Sequence, residues 1–176
     1  MCVSKKQRKK IEEEFSVLPE LENRTIEEKT GYDKFCDTQV IQNQCIYEGK
    51  EIRVLHDYAP ISLTKDGLHL LLVTKRHCVA SSELTFSEFK EKFDLKQKLI
   101  KHFKEKGCTV VHNFEKNGWL QSVPHNHEHL VFGEKEPVTF LEKVGTVPKL
   151  AWRTRLPNLK ERVEVLSKEL FDVLKK

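Results

Sequence analysis

Residues 125–129 read His-Asn-His-Glu-His and run straight into Leu130-Val131-Phe132. Histidines at i, i+2 and i+4 share one face of a β-strand but scatter around a helix. If these side chains act together, the segment is extended, and neighbouring rings start about 7 Å apart along one face. Imidazoles are long enough to converge from there on one bound group. Unperturbed histidine titrates near pH ~6.5, so such a row holds neutral nucleophiles and protonated donors side by side. Three uses fit the spacing. One is chemistry at a phosphate, with one ring attacking phosphorus while its neighbours bind oxygens and protonate the leaving group. The second is zinc binding through neutral imidazoles. The third is a histidine-rich strand at the surface with no role. The spacing alone leaves all three open.

Composition narrows the setting. The chain has 176 residues, 33% of them charged and 38% hydrophobic, and 31 basic against 27 acidic residues leave a net charge of only +4. A charge that small does not indicate nucleic-acid binding. The longest apolar stretch, around Leu70 to Val73, is far short of the ~20 residues a membrane helix needs. The N-terminal MCVSKKQRKK is basic with no apolar segment behind it, so no secretory signal is expected. Cys2, Cys36, Cys45, Cys78 and Cys108 are scattered and odd in number, which suits free thiols in a reducing cytoplasm.

The chain divides into three parts. Residues 1–30 read as a charged N-terminal extension, with Lys5, Lys6, Arg8, Lys9 and Lys10 followed by Glu12, Glu13 and Glu14 on a solvated helix. A short helix from Thr25, with Glu28 at capping-box spacing, ends at Gly31. From Tyr32 the signals turn to strands: a patch at Val40-Ile41, then a hairpin of Ile46-Tyr47 and Ile52–Leu55 around Glu48-Gly49-Lys50. Leu68 to Val73 reads as a central strand. A helix begins at Thr85, where Glu88 completes a capping box, with Phe86, Phe89, Phe93, Leu99, Ile100 and Phe103 as its apolar face. Its other face carries Lys90, Lys92, Lys96, Lys98, Lys101 and Lys104, a solvated surface, and Gly107 stops it. Strands follow over Cys108–Phe114 and His125–Phe132, separated by a turn at Lys116-Asn117-Gly118. After an irregular stretch punctuated by Pro137 and Pro148, a helix from about Asn158 carries the stripe Leu159, Val163, Leu166, Leu170 and Val173. That stripe can dock on the chain's own core or on a partner.

The residues around the histidines carry a resemblance. Gln121-Ser122-Val123-Pro124-His125-x-His127-x-His129 resembles the signature of the histidine triad (HIT) superfamily of nucleotide hydrolases and transferases, nearest its Hint branch. Upstream, His56-Asp57-Tyr58-Ala59-Pro60 and His69-Leu70-Leu71-Leu72-Val73-Thr74-Lys75-Arg76-His77 are similar to the family's "HD…P…H-apolar-apolar-V-x-K-x-H" segment. Val110-Val111-His112-Asn113 resembles its "V-x-N" strand. The likeness covers roughly residues 31–135 and leaves 136–176 as a C-terminal extension ending in the amphipathic helix. It implies an α+β, HIT-like fold: a mostly antiparallel five-stranded sheet with one main helix, plus helical extensions at both ends.

Carried over position by position, the resemblance implies that His127 is the nucleophile and forms a covalent nucleotidyl-histidine. His129 would hydrogen-bond a phosphate oxygen, and His125 would orient His127, with His69 beside them. Asp57 would accept from ribose hydroxyls, Asn113 would hold the phosphate or ribose, and Gln121 and Ser122 would contact the phosphate and leaving group. The implied activity is attack at the α-phosphate of a nucleoside phosphoramidate or dinucleoside polyphosphate, by a homodimer and without metal or other cofactor. The alternatives are a metal-dependent enzyme with His125, His127 and His129 as ligands, and a weakly catalytic nucleotide-binding scaffold. Two departures stand out. Asn126 and Glu128 lie between the histidines where the family has apolar residues; they face away from the row, where Glu128 requires solvent or a cation. Trp119 and Leu120 stand where the Hint branch has glycine. A zinc-binding cysteine pair found in some bacterial members is absent, although Cys36 lies in the corresponding region.

Overall fold

The computed structural model describes residues 32–58, 68–112, 123–133 and 158–175. The expected helices before residue 32, the turn at 116–118 and the stretch around Pro137 and Pro148 lie outside the described residues, as do Asn113, Gln121 and Ser122. Five strands form one antiparallel sheet: β1 (Cys45–Glu48), β2 (Ile52–His56), β3 (His69–Thr74), β4 (Cys108–His112) and β5 (His127–Phe132). Their order is β1-β2-β3-β5-β4, which puts β3 at the centre and β5 between β3 and the edge strand β4. Among the described residues three α-helices accompany the sheet: α1 (Thr38–Gln44), α2 (Phe86–His102) and α3 (Leu159–Lys175).

The hairpin forms as its sequence predicts. Glu91 on α2 closes it, its carboxylate accepting from the backbone N–H of Lys50 at 2.8 Å and of Glu51 at 2.6 Å. Gly49 has to be glycine here, because a Cβ would lie 2.8 Å from the Ile52 carbonyl oxygen and run into Glu91. The strand expected at Val40-Ile41 is a helix instead. Asp37 caps it, accepting from the backbone of Gln39 and Val40, and a two-residue β-branched run cannot outweigh a capped turn.

Helix α2 starts with the expected capping box between Thr85 and Glu88. It ends at His102, before Gly107, because a 3-10 turn at Lys104–Lys106 intervenes; Gly107 follows with φ +68°. Its core-facing side differs from the expectation. Glu88, Lys92, Leu95 and Leu99 are buried, whereas Phe86, Phe89 and Phe93 are 81%, 58% and 48% exposed. The two rows are adjacent on the helix surface, and the docking angle selects the one that holds two charged residues.

Helix α3 resolves the open choice about its stripe. Leu159, Val163, Leu166, Leu170 and Leu174 are buried in the same core cluster as Val54, Leu70, Leu72, Leu130 and Phe132. Helices α2 and α3 thus cover one face of the sheet, which pairs each strand's even-numbered side chains with the main core. Burial of each such leucine contributes about 1.5–3 kcal/mol. The odd-numbered residues Leu55, Leu71 and Val73 form a smaller cluster with Phe35 and Val123 on the opposite face. Among the described residues, no helix is long and apolar enough to cross a membrane.

Candidate active site

The histidine row lies on the face opposite α2 and α3. Strand alternation puts His127 and His129 on one side of β5, across from Val73 and Leu71 of β3, and brings His69 in from the start of β3. His125 sits two residues ahead of His127, just outside the strand. The rings of His127 and His129 are 4.8 Å apart and those of His69 and His129 are 5.0 Å apart. Three of the four histidines named from the sequence therefore bring their rings together, while the His125 ring lies against Phe35 and His77.

The hydrogen bond at His127 is the most informative. Its Nδ1 lies 2.7 Å from the backbone carbonyl oxygen of His125. A carbonyl only accepts, so Nδ1 carries the hydrogen, and the neutral ring keeps its lone pair on Nε2. Burial pushes the pKa of His127 down to about 4, and the nearby Lys92 charge adds to this, although the His125 carbonyl works the other way. At neutral pH this imidazole is uncharged. His125 thus reaches His127 through its backbone, and its own ring points elsewhere.

A second chain of contacts leads away from His129. His129 Nδ1 lies 2.8 Å from His69 Nε2, and His69 Nδ1 lies 3.1 Å from Asp57 Oδ2. Asp57, expected to accept from ribose hydroxyls, is only 1% exposed and turned onto His69. The backbone explains this: Asp57 follows β2 directly and donates its N–H to the His69 carbonyl at 2.9 Å, which sets the two side chains together.

Of the two partners open to Glu128, solvent or a cation, it meets a cation. Glu128 is buried, and its Oε1 accepts from Lys96 Nζ at 2.8 Å. Burial alone would raise its pKa, but hydrogen bonds from His112 and Lys96 outweigh that and bring it to about 2.

One group escaped the sequence reading. Asp33 Oδ2 lies 2.8 Å from His125 Nδ1, 2.6 Å from His77 Nδ1 and 2.9 Å from Cys36 Sγ. Cys36 Sγ is 3.8 and 3.9 Å from the same two ring nitrogens. Burial pushes the Cys36 thiol up to about 12, and the adjacent Asp33 carboxylate reinforces this. Burial also tends to raise Asp33, yet its hydrogen bonds to His125, Cys36 and His77 hold it well below the usual carboxylate range. The four donor atoms lie within 4.8 Å of one another and are of the types zinc takes. The three Asp33 contacts of 2.6–2.9 Å are hydrogen-bond lengths, however, so Asp33 would have to draw back to share an ion with the others. Bonds of about 2.0–2.3 Å imply donor separations of about 3.3–3.8 Å. The sequence signal was Asp33-x-x-Cys36, a metal-ligand spacing with a carboxylate in place of one thiol. Among the described residues the only other such donor group is Asp57, His69 and His129. The three histidines of the row do not come together as one donor group among the described residues, and His125 has both ring nitrogens engaged away from the row, Nδ1 with Asp33 and Nε2 with Thr74.

The sequence profile of the HIT domain family matches residues 38–136. No curated protein matches the chain by sequence. Several solved structures share the fold. A zinc-bound histidine triad family protein from Mycobacterium smegmatis is 22% identical, with 73% of this chain and 84% of that one covered and a TM-score of 0.52. A hypothetical histidine triad nucleotide-binding protein from Sulfolobus tokodaii is 20% identical, with 80% and 91% covered and a TM-score of 0.53. The diadenosine triphosphate hydrolase of Plasmodium falciparum, solved with cyclomarin A, is 13% identical, with 93% and 97% covered and a TM-score of 0.50. With a family profile spanning more than half of its length and a sheet that carries the triad on one face, the chain belongs to the HIT domain family.

Proposed function

We propose that this protein is a nucleotide hydrolase or nucleotidyl transferase acting at the α-phosphate of a nucleoside phosphoramidate or a dinucleoside polyphosphate. The observation that carries this reading is the tautomer of His127: an uncharged ring with Nδ1 tied to the His125 carbonyl and Nε2 holding the lone pair. Nε2 attacks the α-phosphorus, a P–N bond forms, and the bond to the leaving group breaks, its electron pair leaving with that group. Water or another acceptor then attacks the same phosphorus, the P–N bond breaks, and the pair returns to Nε2.

His129 serves a phosphate oxygen. To donate from Nε2 it must accept at Nδ1, so His69 supplies an Nε2 hydrogen while its Nδ1 hydrogen rests on Asp57. The buried Asp57 carboxylate supports that charge on His69. Asn113, Gln121 and Ser122 take the phosphate, ribose and leaving-group contacts that the family resemblance implies. The catalytic unit spans residues 31–135, between a charged extension before it and the α3-bearing segment after it. Four free thiols among the described residues suit a cytoplasmic setting.

The experiment is incubation with an α-labelled diadenosine triphosphate or adenosine phosphoramidate followed by rapid quenching. Acid-labile label on His127 is the expected result, and label that never appears on protein while product accumulates rejects the mechanism.

Two companion readings have their own observations. Asp33, Cys36, His77 and His125 would hold a zinc ion that ties the Asp33–Cys36 turn to the back of the triad. Stoichiometric zinc after dialysis, lost in His77→Ala, is expected. A homodimer would use the edge strand β4 and the outer side of α2, supported by exposed Phe86, Phe89, Phe93 and Val110. Sedimentation of Phe89→Ser should move from dimer to monomer.

A further inference from the structure

The side of β5 that faces α2 carries a connected set of polar groups that the proposed reaction does not use. Lys92 Nζ donates to Asn126 Oδ1 at 2.6 Å, and Asn126 Nδ2 donates to Ser81 Oγ at 3.3 Å. Ser81 Oγ lies 2.7 Å from His112 Nε2, and His112 Nδ1 lies 3.5 Å from Glu128 Oε2. Lys96 completes the set at Glu128 Oε1, 2.8 Å away. Four elements thus meet around residues 126–128: α2, the 3-10 turn at Ser81–Glu83, β4 and β5 itself.

The spacing explains why two lysines engage two strand residues. Positions i and i+4 of a helix are separated by about 6.0 Å along its axis. Positions i and i+2 of a strand are separated by about 6.8 Å. Lys92 and Lys96 therefore match Asn126 and Glu128 in register. Sliding β5 by one residue would present histidines to the lysines and drive both polar partners into the opposite face.

The grip acts on one particular peptide plane. The plane between His125 and Asn126 contributes its N–H to the Cys78 carbonyl at 2.6 Å. Its carbonyl oxygen is the one that holds His127 Nδ1. Any rotation of this plane releases the tautomer lock on His127. The Asn126 side chain, held by Lys92 on one side and Ser81 on the other, opposes that rotation.

We propose that Lys92, acting through Asn126 with Ser81, Lys96, His112 and Glu128, is a positioning residue that clamps the catalytic strand and keeps the Nε2 lone pair of His127 aimed at substrate. The inference rests on His127 being the nucleophile. Lys92→Met is the informative variant. It keeps most of the side chain's bulk and removes a buried charge, but it leaves the Asn126 side-chain oxygen without its donor, so a modest loss of stability accompanies the loss of the anchor.

The measurements are kcat and KM for diadenosine triphosphate, thermal melting, and the His127 tautomer by nitrogen-15 NMR. With Lys92→Met we expect kcat about 10-fold lower, because small misplacements of a reacting group are costly. KM should stay within about twofold, since His129, the described residue assigned to phosphate, keeps its own partner in His69. The melting temperature should fall by no more than a few degrees, and the single Nδ1–H tautomer of His127 should become a mixture. A folded Lys92→Met protein with wild-type kcat and a single tautomer overturns the proposal, and so does a lower melting temperature with kcat unchanged. Should this variant not fold, Ser81→Ala removes two contacts of the same set at a partly exposed site. A smaller fall in kcat with a mixed tautomer then supports the clamp, and wild-type behaviour overturns it. If the wild-type protein turns over no nucleotide, the catalytic reading fails while the NMR readout still decides the clamp.

Discussion

On one side of β5, His127 and His129 lie among other rings and backbone carbonyls, with the nearest carboxylate, Asp57, held one histidine further back. On the other side, Asn126 and Glu128 meet two lysines, a serine and a histidine within a distance of two residues along the strand. The first environment keeps the His127 ring neutral by withholding solvent. The second stabilises charge by pairing it. A buried carboxylate without a partner costs several kcal/mol, so the helix-facing side could not accept Glu128 unless α2 brought a cation to it. The contrast teaches that polar residues between the histidines leave the histidine face intact when the opposing helix is built to receive them.

The sharpest way to break the comparison is at the catalytic face. His127→Ala should lower turnover of diadenosine triphosphate by at least about 10³-fold, as expected when the attacking group is removed. The folded state should persist, which circular dichroism and thermal melting will check; retained turnover would end the proposed mechanism. Asp57→Asn comes next. It keeps the shape of the side chain but removes the charge behind His69, and a loss of about 10²-fold in kcat is expected if His129 depends on that relay. Steady-state kinetics with KM unchanged would support the relay, whereas a rise in KM alone would return Asp57 to a ribose-binding role.

The smallest effect belongs to the opposite face and is read in stability. Glu128 has a folded-state pKa of about 2, below its ordinary value of 4.5, and faces Lys96 and Lys92 from α2 and His112 from β4. A depressed carboxylate contributes stability above its unfolded pKa and loses it as pH falls through the folded one. The difference between wild type and Glu128→Gln should therefore be widest above pH ~4.5, on the order of 2 kcal/mol, and should close towards pH ~2. Urea unfolding across that range measures it. A gap that does not change with pH would show that Glu128 contributes packing and not charge.

Much of the framework was legible in the sequence because it depends on near neighbours. The capping box of Thr85 and Glu88, the hairpin around Gly49 and the alternation from His127 to Phe132 all involve residues a few positions apart. The row of four histidines was legible for a different reason: its spacing repeated a known family pattern. Helix α2 shows where such reading stops. Its phenylalanines form the more apolar stripe, yet the core receives Lys92 and Glu88, because Glu88 binds Arg76 and the Thr85 backbone while Lys92 finds Asn126. Burial of a charge is tolerable only where a partner waits, and the partners lie on other elements. Asp33 was missed for the same reason, since it meets His125 across a separation of 92 residues.

The histidine row from which the reading began is thus divided between two levels of cause. The sequence by itself determined that β5 is a strand, that His127 and His129 share a face, and that Asn126 and Glu128 face the other way, since a period of two allows nothing else. Only the tertiary structure decided what each face meets. Docking of α2 set Lys92 and Lys96 opposite Asn126 and Glu128, and the return of the chain at Asp33–Cys36 brought a carboxylate and a thiol to His77 and His125. Alternation is a property of the backbone, whereas the partners of a buried polar group depend on how distant elements pack.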